Sequence, residues 1–84
     1  MRENPRGEMV VAAIGSMTGA IKAKRALEAK GLACEIVSLE PSATKRGCAY
    51  GVIFAPGLEK AIRGALREAR IPVSQYLHRD GSLP

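Results

Sequence analysis

Apolar residues along this chain fall into four short runs and two longer periodic segments, and the spacing within each predicts its structure. Residues 9–14 (Met-Val-Val-Ala-Ala-Ile) are an unbroken apolar run of strand length, closed by Gly15-Ser16. Ala20, Ala23 and Leu27 then recur on one helical face, flanked by Ile21 and Ala26, with Thr18 as the capping residue and Gly31 as the stop. Small side chains on that face allow a close approach to a sheet. Residues 33–39 read as a second strand, with Cys34 and Ile36 on one side and Glu35 and Val37 on the other. A loop starting at Pro41-Ser42 leads to Gly47, after which Tyr50, Val52 and Phe54 alternate with Gly51 and Ile53 in a third strand that ends at Pro56-Gly57.

The second periodic segment is the clearer helix. Leu58, Ile62, Ala65, Leu66 and Ala69 keep the helical repeat, and Glu59 stands four residues before Arg63, the spacing of an ion pair on the wet side. Gly64 inside it costs about 1 kcal/mol relative to alanine and reads as a tolerated surface glycine. Pro72 ends the helical run, and residues 73–77 are a short last strand. Residues 1–7 and 79–84 are expected to fray.

The order strand, helix, strand, strand, helix, strand, with no internal linker, predicts one α+β domain over residues 8–78. Its usual solution is the ferredoxin-like βαββαβ fold, two helices on one face of a four-stranded antiparallel sheet. The other sheet face is then expected to stay open to solvent, a ligand or a partner.

Composition narrows the functions available. With 84 residues there is room for one core, and with 4% aromatic residues that core is built from Ala, Val, Ile and Leu. No apolar run reaches the ~20 residues that would span a bilayer, and the N-terminal residues lack the apolar stretch of a signal peptide, so a cytoplasmic location is expected. Two cysteines and one histidine give neither a disulfide framework nor a zinc ligand set, and no metal or cofactor is expected. The net charge of +5 comes from 13 scattered basic residues that fit the solvent faces of helices better than a nucleic-acid site.

Chemistry concentrates at Cys48, in the run Lys45-Arg46-Gly47-Cys48-Ala49-Tyr50-Gly51. Positive charge favours the thiolate over the thiol, whose ordinary pKa is about 8.5. A structural cysteine beside a solvated basic turn is the alternative. In the ferredoxin-like topology strands one and three are neighbours, so the start of strand three is expected near Gly15-Ser16-Met17-Thr18-Gly19. There the first helix exposes unpaired amides that attract anions. Ser16 and Thr18 would contribute these amides more than their hydroxyls, which capping already explains. Cys34 is expected at the far end of the sheet, on the order of 15 Å away at ~3.3 Å per residue, too far for a disulfide, and reads as a core residue. His78 reads as a surface residue, and spacing names no partner for Tyr76 or Glu40.

Residues 9–77 resemble the small bacterial and archaeal family of selenium/sulfur carrier-like proteins. The resemblance rests on Ser16-Met17-Thr18 after strand one, on Ala20-Ile21-Lys22-Ala23 in the first helix, and on Gly47-Cys48-Ala49-Tyr50-Gly51-Val52 entering strand three. Many members have glycine directly after that cysteine, where this chain has Ala49. The resemblance implies a carrier rather than a turnover enzyme. In it Cys48 would accept sulfur or selenium as a persulfide or selenopersulfide from a donor protein and pass it to an acceptor protein.

Two other readings belong to different classes. RNA-recognition domains share the element order, and Arg46-Gly47-Cys48-Ala49-Tyr50 matches four of five positions of their third-strand motif. The missing position is a stacking aromatic, and Tyr50 would have to leave the core. In the third reading the open sheet face, with Ile53 and alternate residues of strand one exposed, binds a small ligand or a second copy, and Cys48 is incidental.

Overall fold

A computed structural model describes residues 8–39 and 49–80. They form β1 (Glu8–Gly15), α1 (Met17–Glu28), β2 (Glu35–Ser38), β3 (Tyr50–Phe54), α2 (Glu59–Glu68) and β4 (Gln75–Asp80), with a single 3₁₀ turn at Pro56–Leu58 leading into α2. The sheet is antiparallel throughout in the order β2-β3-β1-β4. This is the expected ferredoxin-like arrangement, and β1 and β3 are its two central strands.

Register fixes which side chains share a face. Val10 lies opposite Phe54 and Ala12 opposite Val52. All four join Ala23 and Leu27 of α1 and Ile62, Ala65 and Leu66 of α2 in the main core. Burying one Leu, Ile or Phe side chain contributes about 1.5–3 kcal/mol, so Leu27, Ile62, Leu66 and Phe54 dominate this layer. Ala20 and Ala23, also fully buried, keep α1 close to the strands.

The second sheet face differs from expectation. Val11 and Ala13 are fully buried and Leu39 nearly so, with Val37, Ile53 and Leu77 packed against them. Val11 has Ile53 beside it on one side and Leu77 on the other, so the central strand is flanked by apolar neighbours from both partners. Ile53 is half-buried rather than exposed. The open apolar face that an interaction module would use is therefore reduced to the outer parts of these side chains.

Helix ends follow backbone geometry more than side-chain type. Gly31, at φ 76°, ends α1, with its amide donating to Glu28 and that of Leu32 to Leu27. The end of α2 repeats the pattern with Arg70 at φ 60°: its amide donates to Arg67 and that of Ile71 to Leu66. The helix thus stops before Pro72 through a left-handed residue that is not glycine. β4 starts at Gln75 and continues through Asp80, beyond the expected Leu77, because backbone pairing with Glu8, Met9 and Val10 needs no apolar side chains.

Candidate functional site

The turn between β1 and α1 is built from three residues with different tasks. Gly15 has φ 123°, a conformation that disfavours any side chain, and the β1–β3 register shifts between Ala13 and Gly15. Ser16 caps α1: its Oγ accepts the Gly19 amide at 3.0 Å, and its carbonyl accepts the Ala20 amide at 3.0 Å. Thr18, the expected cap, is instead an exposed residue of the first helical turn. Both residue types cap well, and the chain reversal at Gly15 places the boundary one step after it.

With Gly19 bonded to Ser16, the amides of Met17 and Thr18 are the first-turn donors left without a partner among the described residues. No acidic side chain occupies that turn, so the positive end of the helix is not neutralised from within. Gly19 makes the turn compact, since a Cβ there would stand 3.0 Å from Ile14 Cγ2 and 3.2 Å from Ser16 Oγ.

β3 enters beside this turn. The Ala49 amide donates to the Gly15 carbonyl at 3.3 Å, the Ala49 carbonyl accepts from Leu39 at 2.6 Å, and Tyr50 is registered with Gly15. Gly51 then passes so close to β1 that a Cβ would collide with the Ala12 carbonyl oxygen. Lys45, Arg46, Gly47 and Cys48, the expected acceptor and its cationic support, lie outside the described residues, as does Glu40.

Cys34 sits at the other end of the sheet, just before β2, whose Glu35 pairs with Ile53. It is buried in the main core, and that burial pushes its thiol pKa up, an effect Lys24 only partly opposes. Cys34 is thus a small core side chain, as expected, and its burial works against ionisation.

Residues 9–78 match the family described as "Putative Se/S carrier protein-like". The chain belongs to this family. Among curated proteins and solved structures nothing matches it. The stretch shared with the Se/S carrier family runs from β1 into β4, so it contains the Gly15–Gly19 turn, the entry to β3 and Cys48.

A second polar cluster joins α2 to β4: its Glu59–Arg63 pair keeps the expected helical spacing, while Tyr76 and His78 join it through packing that spacing does not show. Arg63 donates to Glu59 Oε2 from Nε at 2.9 Å and from Nη2 at 2.7 Å, and lies 3.9 Å over the Tyr76 ring. His78 Nε2 is 3.3 Å from Glu59 Oε1, so this exposed histidine has a carboxylate neighbour. The Arg63 hydrogen bonds hold the Glu59 carboxyl below the usual range, and burial raises the Tyr76 pKa. The cluster ties helix to strand. Among the described residues no group of three or more His, Cys, Asp or Glu could hold a metal, and no helix is long and apolar enough to cross a membrane.

Proposed function

We propose that this Se/S carrier-family protein carries one sulfur or selenium atom on Cys48. The supporting observation is the Ala49–Gly15 hydrogen bond, which joins the residue after Cys48 to the turn that opens α1. The Met17 and Thr18 amides, without a partner among the described residues, favour an anion at that helix start, and Lys45 and Arg46 precede the cysteine in sequence. A thiolate before loading and a terminal chalcogenide after it are both anions, so one positive environment serves both states.

Loading is an exchange that conserves electrons. The Cys48 thiolate attacks the terminal sulfur of a donor's cysteine persulfide, a new S–S bond forms at Cys48, and the donor cysteine leaves as its thiolate. Delivery repeats the exchange towards a nucleophile on the acceptor. No general base, metal or redox cofactor takes part, and a selenium atom follows the same course.

The RNA reading loses support from β3. Val52 and Phe54 lie in the helix-side core, which puts Tyr50 on that side by alternation and away from the face where bases would stack. Iodoacetamide labelling of the folded protein tests the carrier reading. Cys48 is expected to react fast, with a rate that rises through a pH below the ordinary thiol range, while Cys34 stays unlabelled. Equal, slow labelling of both would contradict it.

A further inference from the structure

The chain's positive excess is concentrated on its helices and the turns that flank them. Residues 17–31 and 56–71 hold eight of the 13 basic residues but only three of the eight acidic ones, an excess of five that equals the net charge of the whole chain. Three of those cations are neutralised locally: Lys24 pairs with Glu28, Lys30 with Glu68, and Arg63 with Glu59. Lys22, Arg25, Lys60 and Arg67 are exposed and have no ion pair among the described residues.

The same layer has an apolar opening. A groove of about 610 Å³ runs between the end of α1 and the face of α2, lined by Leu32, Ala61, Gly64 and Ala65 with Lys30 and Glu68 alongside. Nothing stands within 4 Å of where a Gly64 Cβ would be, so the groove is open at its middle. Lys60, Gly64 and Arg67 share one helical face, so Arg67, which lines the opening, and Lys60, one turn before Gly64, are cations of that face with no ion pair among the described residues. Met17 and Ile21, exposed on α1, add apolar surface to the layer.

We infer that this helix layer docks an acidic amphipathic helix of a partner protein, its apolar row in the groove and its carboxylates on Lys60 and Arg67. Lys22 and Arg25 steer the approach through their longer-range field. An apolar centre with a charged rim is the anatomy of a protein contact, and small residues along the groove let a helix approach closely. A second copy of this chain would bring like charge against like. A single-stranded nucleic acid would find no aromatic side chain on either helix to stack on. The surface is independent of Cys48, so it stands or falls separately from the carrier reading.

Titrating ¹⁵N-labelled protein with a synthetic helical peptide, a leucine row flanked by glutamates, tests this. The amides of Leu32, Ala61, Gly64 and Ala65 are expected to shift together. Affinity should fall roughly tenfold in Arg67→Glu, and also in Ala61→Trp, which fills the groove without changing charge. It should rise in Glu68→Ala, which frees Lys30. The ¹⁵N spectrum of each variant reports whether it is folded, and Glu68→Ala decides the matter if Ala61→Trp is not. Shifts scattered over all the cations, unchanged affinity in folded Ala61→Trp, no gain in Glu68→Ala, or displacement of the peptide from the groove by an RNA oligonucleotide would each overturn the inference.

Discussion

The backbone amide of Ala49 donates to the carbonyl of Gly15 at 3.3 Å, so the first described residue after Cys48 is fastened to the turn that starts α1. Gly15 can present that carbonyl because its φ of 123° turns the chain out of β1 before Ser16 caps the helix. Two segments 34 residues apart in sequence thereby meet at the positive end of a helix.

That meeting depends on Gly51. A methyl group there would collide with the Ala12 carbonyl oxygen and stand 3.3 Å from the Ala13 Cα, both backbone atoms that cannot step aside. Gly51→Ala is expected to destabilise the fold by about 3 kcal/mol, at the upper end for overpacking, read as a lower urea midpoint. Wild-type stability in this variant would mean that β1 and β3 are further apart than described.

Ser16 and Thr18 separate cleanly. Ser16→Ala removes the acceptor of the Gly19 amide and should cost about 1 kcal/mol, whereas Thr18→Ala, at an exposed first-turn position, should change stability by less than about 0.5 kcal/mol. Thermal unfolding of the two variants measures the contrast, and a larger loss in Thr18→Ala would reverse the assignment of the cap.

Acid sensitivity should come from α2. Hydrogen bonds from Arg63 and Lys30 hold the carboxyls of Glu59 and Glu68 below their ordinary range. A carboxyl whose folded pKa lies below its unfolded value of about 4.3 adds stability that is complete above that value and lost as pH falls through the folded one. Urea midpoints are therefore expected to drop as pH falls below about 4.3, less steeply in Glu59→Gln/Glu68→Gln than in the parent. The effect is small because the pairs are exposed to solvent.

Much of this architecture is legible in the sequence because side-chain alternation carries it. Val52 and Phe54 face the helices, Cys34 faces the core, and Glu59 meets Arg63 at the spacing of one helical turn. What escapes the pattern is set by backbone or by distance along the chain. β4 runs on through His78, Arg79 and Asp80 because its ladder needs only N–H and C=O groups. Arg70 takes a left-handed conformation that glycine would have advertised. Tyr76 finds Arg63 only through the packing of α2 on the sheet. The burial of Val11 and Ala13 comes from the apolar side chains packed against them, Leu39 with Val37, Ile53 and Leu77, a clustering that the expected topology does not by itself reveal. At the candidate site the cysteine and its cations stand out by residue type, while the roles of Gly15 and Gly51 emerge only from φ and from interstrand contact.

Intact-mass measurement after incubation with a cysteine desulfurase and free cysteine tests the central proposal most directly. The parent and Cys34→Ala should each gain one sulfur atom, removable by a thiol reductant, and Cys48→Ala should gain none. A parent protein that stays unloaded, or a gain that persists in Cys48→Ala, would contradict the account.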